Sequence, residues 1–221
     1  MQLSAVLLAR AIALFETFDL NPQGKIFFPN LVPLLVERFS FQEYPQKPEQ
    51  FDASKGITFK SGYFDGQAIE EFVVYNDGLK LDLGSSTEQA REMLMNTLEW
   101  LKDEVGINYS KTMIRRWGIL SQLTFRSDMQ MDLIHPAFAA VASEVSTEVN
   151  ARAGLNLEYR ASGLSFNFER PNGDIPIAAF LIERRGKALF SEDKYYSQAP
   201  LDTQSHIRVI EEFEESIRKS L

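Results

Sequence analysis

The stretch from Gly56 to Val105 constrains the fold more than any other part of the chain. Ile57-Thr58-Phe59-Lys60 alternates apolar with polar residues, and Tyr63-Phe64 runs into Asp65-Gly66. That pair is favoured where a two-residue hairpin loop needs positive φ. Ala68–Tyr75 reads as the return strand, weighted by Phe72, Val73, Val74 and Tyr75. Asn76-Asp77-Gly78 turns the chain again, and Leu79, Leu81 and Leu83 then alternate with Lys80 and Asp82, the pattern of a strand with one wet face. After Gly84-Ser85-Ser86, Ser85 and Glu88 have capping-box spacing. Ala90, Met93, Leu94, Leu98 and Leu101 form one helical stripe, and Gly106 is the natural stop. A three-stranded antiparallel meander feeding an amphipathic helix is the expected centre of the fold.

Flanking signals extend that unit. A strand is expected over about Ala11–Phe18, closed by the turn residues Asn21-Pro22-Gln23-Gly24. Asn30 is placed to cap a helix over Leu31–Phe39, with Pro33 in its first turn, and Gln42–Asp52 reads as a connecting loop. Trp117–Phe125 alternates as a long strand. His135-Pro136 opens a helix to about Ala153, with Phe138, Val141, Ala142, Val145 and Val149 as its apolar stripe. Leu155–Tyr159 and Leu164–Phe168 read as two strands, and Ile175–Ile182 as a central strand apolar on both faces, with Pro176 at its start. Glu192–Pro200 reads as a surface loop. Asp202 or Thr203 caps a last helix striped by Ile207, Ile210, Phe213 and Ile217. Hairpin-connected strands with few βαβ units define an α+β class: a largely antiparallel sheet, meander plus further strands, with amphipathic helices packed on it. One domain over residues 1–221 is expected, with a subdivision near 106–113.

Composition narrows the function classes. With no cysteine among 221 residues, disulfides and thiolate metal sites are excluded. A net charge of −8 repels phosphate and disfavours nucleic acid as a partner. Arg10 interrupts the apolar N-terminal run, the basic flank of a signal peptide is missing, and no stretch reaches the length of a membrane span. The expected location is the cytoplasm.

Chemistry-bearing patterns are sparse. His135 and His206 do not stand at metal-ligand spacing. Asp174 upstream of Glu192-Asp193-Lys194 has the form of a metal-dependent nuclease site, in which carboxylates hold a hard cation and a lysine positions water. Those residue types at loose spacing also recur by chance. Arg115-Arg116 and Arg184-Arg185 are adjacent pairs suited to an anion or to acidic neighbours. The run Glu211-Glu212 and Glu214-Glu215 reads as a solvated helix face, with Glu214–Arg218 and Glu215–Lys219 as i,i+4 pairs. Phe190, Tyr195 and Tyr196, in the expected loop, are the interface-type aromatics. No phosphate-binding glycine loop or nucleophile elbow occurs.

His206, Phe213, Glu214 and Ile217 spell H-x₆-F-E-x-x-I. With the strand Trp117–Phe125 following a capped helix, this resembles an uncharacterised, sporadically distributed bacterial protein family of similar length, over the region from Gly56 onward. Members of that family continue past the final helix, whereas this sequence stops at Leu221. The resemblance implies an α+β architecture and no particular activity, cofactor or catalytic residue.

These readings set the expectation of a non-enzymatic component of a bacterial multi-protein system, binding another protein or itself, with no cofactor. Its binding residues are expected at Phe190, Tyr195, Tyr196, Arg184 and Arg185. The alternatives are a metal-dependent nuclease or phosphate-ester hydrolase using Asp174, Glu192 and Lys194, and a small-ligand-binding module with a pocket between sheet and helices.

Overall fold

In the computed structural model, β2 (Ile57–Phe64), β3 (Gln67–Tyr75) and β4 (Gly78–Leu83) form the expected meander, followed by α2 (Thr87–Val105). Both loop residues of the first hairpin have positive φ, 47° at Asp65 and 77° at Gly66, as its two-residue turn requires. Gly78 is fixed by contact: a Cβ there would lie 2.2 Å from the Ala13 carbonyl oxygen. The cap of α2 sits one residue later than expected. Ser86, not Ser85, accepts the Gln89 N–H at 3.2 Å, which leaves the buried Ser85 hydroxyl without a hydrogen bond. The structure describes residues 1–131, 134–169 and 177–219, and these divide into two units.

The first unit comprises Val6–Gln122 and Pro200–Thr203. Its strands hydrogen-bond in the order β2-β3-β4-β1, followed by the first part of β5 (Arg116–Arg126). β1 runs Gln2–Leu14, so the N-terminal strand starts and ends earlier than the expected 11–18; Thr17–Leu20 is a 3₁₀ turn. The β2·β3, β3·β4 and β1·β4 pairs are antiparallel. The fully buried face of β1 is Ala9, Ala11 and Ala13, with the larger residues half-exposed beside them. Arg10 faces its cross-strand partner Asp82 and donates two 2.7 Å hydrogen bonds to it.

The helix α1 (Leu31–Phe39) has the expected bounds. Asn30, however, is αR, belongs to a preceding 3₁₀ turn and makes no side-chain cap. Phe39, Phe41, Phe59 and Phe72, all buried, pack at centroid distances of 5.2–6.3 Å, each contributing roughly 2–3 kcal/mol of burial. Glu43 bridges Lys60 and so covers the outer edge of β2.

The second unit comprises Met1–Ala5, Leu123–Ala199 and Gln204–Leu221. Here the last part of β5 is followed in the sheet by β8 (Lys194–Ala199), β7 (Phe180–Arg184) and β6 (Gly163–Phe166). The β6·β7 and β7·β8 pairs are antiparallel. The long helices are α3 (Pro136–Ala153) and α4 (Thr203–Lys219). With an antiparallel sheet and four α-helices among the described residues, the chain is α+β.

Three expectations fail in this unit. Glu192–Pro200 is not a loop, because Lys194–Ala199 is a strand. Leu155–Tyr159 is not a strand. The central strand begins at Phe180 rather than Ile175, and Ile175 and Pro176 lie outside the described residues.

Candidate binding site

Most of the residues singled out from the sequence gather at the β7–β8 hairpin, around Arg184. Its guanidinium lies 4.6 Å from the Phe190 ring centroid and 5.1 Å from that of Tyr195, donates to the Phe190 carbonyl at 2.7 Å, and stands 3.9 Å from the Asp193 carboxylate. The turn is tightened by positive φ at Lys187 (67°) and Asp193 (51°). Lys187 and Asp193 sit on either side of the short 3₁₀ turn Phe190–Glu192.

Two of the expected binding aromatics have other roles. Tyr195 is fully buried, stacked on Phe125 at 5.5 Å, with its hydroxyl donating to the Met129 carbonyl at 2.6 Å. Strand alternation turns it inward with Ser197 and Ala199, so it is a core residue. Tyr196 points the other way and is half-buried, opposite Glu183 in the sheet. Burial, then the Glu183 charge, pushes its hydroxyl pKa up. Phe190 and Arg185 remain exposed.

Of the nuclease-type residues, Asp174 lies outside the described residues. Glu192 and Lys194 form an ion pair with each other. Hydrogen bonding from Lys194, then from the Leu189 amide, holds the Glu192 carboxyl below its ordinary value. Among the described residues no group of three or more histidines or acids stands close enough to share a metal ion.

Glu192 borders a polar basin of about 550 Å³ with Arg126, Ser127, Asp128, Glu214 and Arg218. Each of these carboxylates is ion-paired. Arg218 donates to Asp128 at 2.8 Å and lies 3.6 Å from Glu214, which also accepts from the Ser127 hydroxyl and the Met1 amine. Burial pushes the Glu214 pKa up, but those donors and the neighbouring positive charges outweigh it and hold the carboxyl below its ordinary range.

Glu214 is therefore no part of a solvated face, unlike Glu211, Glu212 and Glu215, which are exposed. It belongs to the buried stripe of α4 with His206, Ile210 and Ile217. His206 is fully buried, its Nε2 2.8 Å from the Ser197 hydroxyl. That hydroxyl donates its proton to the Leu181 carbonyl at 2.7 Å, so it accepts from Nε2–H. Burial lowers the His206 pKa to about 4. The H-x₆-F-E-x-x-I pattern is thus carried by the inward face of one helix: three of its four residues are buried and Phe213 is half-buried. Sequence reasoning passed over His206 and Glu214 as core residues because they are polar, although their positions fit the stripe.

The helix α3 has the expected bounds, and what is unforeseen is its exposure. His135 caps it, accepting the Ala137 N–H at 3.2 Å through Nδ1, and Gly154 ends it at φ 64°. None of its 18 residues is buried. On one flank the segment 155–160 folds back along it. Asn150 both donates to and accepts from the Leu157 backbone (2.8 and 2.7 Å), and Ser146 accepts the Tyr159 N–H at 2.8 Å. The Phe138–Val141–Val145 stripe stays open, with Val141 61% exposed. Leu155, Leu157 and Tyr159 add further exposed apolar surface. Arg160, at the end of this segment, reaches over Phe190 at 5.5 Å and joins it to the Arg184 cluster.

No protein-family model matches the chain, and no curated protein matches its sequence.

Proposed function

We propose that the protein acts by binding another protein, as a non-enzymatic component of a multi-protein system in the bacterial cytoplasm, with Pro136–Arg160 as the docking element. One observation carries this reading: among the described residues, an 18-residue helix with an apolar stripe has no buried residue. Helices of this length are marginal in water, and owe their stability to packing of the apolar face. Exposed apolar surface of this kind marks interaction sites. The adjoining Phe190 and Arg184 are of the residue types enriched in interface anchors. A partner offering an apolar groove or helix face complements the Phe138–Val141–Val145 stripe.

The test is size-exclusion chromatography with light scattering, together with capture from native lysate, on wild type and on Val141→Asp. Wild type forms a complex or oligomer that Val141→Asp loses while its far-UV circular dichroism is unchanged. A wild-type protein that stays strictly monomeric and captures nothing removable by Val141→Asp would sink the reading.

A further inference from the structure

A cleft of about 500 Å³ opens in the unit Val6–Gln122, between the sheet and helices α1 and α2. Its floor is apolar sheet surface, with Phe72, Val74 and Leu79. Leu35 and Leu98, both buried, form the helix side. The remaining wall comes from 3₁₀ turns that contribute Phe18, Phe28 and Phe51. This irregular wall is preformed. The Asn21 amide closes its turn by donating to the Ile26 carbonyl at 2.7 Å and accepting the Ile26 N–H at 3.2 Å, and Phe28 packs edge-on against Phe51 at 6.5 Å. Ordinary cores close-pack and leave few voids larger than a water molecule. A cleft this large, apolar inside and held open by ordered walls, has the size range and lining of a small-molecule site.

We infer that this cleft binds a small, uncharged, largely hydrocarbon or aromatic molecule with its polar end at the mouth. Charge selects that class. Among the described lining residues Glu16 is the one charged side chain, and it lies at the rim 3.6 Å from Arg115. An anion in the cleft would meet a carboxylate, and a cation would find no buried counter-ion on the floor. The rim's other polar groups are largely engaged, since the Thr17 hydroxyl donates to the Asn76 carbonyl at 2.8 Å and the Asn21 amide closes its own turn. Asn76 lines the cleft, is exposed, and carries an amide that can meet a ligand's polar end. Phe18, which lines the cleft, is 72% exposed and so marks its solvent side.

The experiment is a fluorescence titration of the full chain with N-phenyl-1-naphthylamine, a neutral apolar probe. Binding is expected to saturate at one probe per chain. Two substitutions at partly exposed positions limit the risk to folding: Ala53→Phe, which fills the cleft from its rim, and Phe18→Asp, which charges the mouth. Each weakens binding about tenfold or more, with circular dichroism unchanged. The anionic analogue 1-anilinonaphthalene-8-sulfonate binds more weakly than the neutral probe. Val141→Asp, in the separate docking element, leaves probe binding intact. The inference is overturned by non-saturable binding, by affinity unchanged in both cleft variants, by loss of binding in Val141→Asp, or by the anionic probe binding as tightly as the neutral one.

Discussion

Gly56–Val105 and Pro136–Arg160 are both well-signalled stretches in which a capped helix ends at a left-handed glycine, yet they meet opposite fates. In the first, the apolar face of α2 disappears into a core: Ala90, Leu94 and Leu98 are fully buried. In the second, an apolar stripe at the same helical spacing stays in water. Local rules therefore fix where a helix starts and stops, while what covers its apolar face is set by what else the chain supplies. Among the described residues nothing buries the α3 stripe, and the proposed docking role rests on that difference.

The contrast can be broken by mutation. The largest effect is expected from Phe59→Ala, at a fully buried member of the four-phenylalanine cluster, which loses about 4 kcal/mol of unfolding free energy in urea titration. A cost below about 1 kcal/mol would mean that this core is loosely packed. Next comes His206. Its folded pKa of about 4 lies below the ordinary 6.5, so the unfolded chain takes up a proton between those values that the folded chain does not. Stability is full above pH 6.5 and declines as the pH falls toward 4, by about 3 kcal/mol in all. His206→Gln flattens that decline, and an unchanged pH profile in the variant would place the acid sensitivity elsewhere.

A smaller effect is expected at Arg184. Arg184→Lys keeps the charge but loses the planar stacking on Phe190 and Tyr195, costing about 1 kcal/mol, read from the thermal midpoint. The smallest sharpens the comparison directly: Val141→Ala changes the stability of the isolated protein by less than about 0.5 kcal/mol. A loss as large as that of Phe59→Ala would show that α3 is packed against its own chain.

Legibility followed the size of the inward residues. The meander was readable because Leu, Val and Phe alternate with charges, and Asp-Gly marks its turn. β8 was missed because its inward residues are Tyr195, Ser197 and Ala199. Two of them are small, so the period of two shows in burial but not in hydrophobicity. β1 was misplaced for the same reason, its buried face being three alanines. In α4 the apolar stripe is legible but its polar members are not, because burial of His206 and Glu214 depends on Ser197, Ser127, Arg218 and Met1, which are distant or unremarkable in sequence. Of the site, Arg184 and Phe190 are legible as residue types, though their contact is not. The open stripe of α3 is not legible, since its residues look the same covered or bare. The cleft is not legible in the sequence because Phe18, Phe28 and Phe51 come from turns, where periodicity carries no information.

The alanine face of β1 also bears on how much change the chain tolerates. Ala9, Ala11 and Ala13 leave no room for growth, and the Ala13 carbonyl already sets the limit at Gly78. In a library of single substitutions read out by folding, these small positions would accept almost nothing larger, while the open helix would absorb most changes. The plainest residues in the chain would then be among its least replaceable.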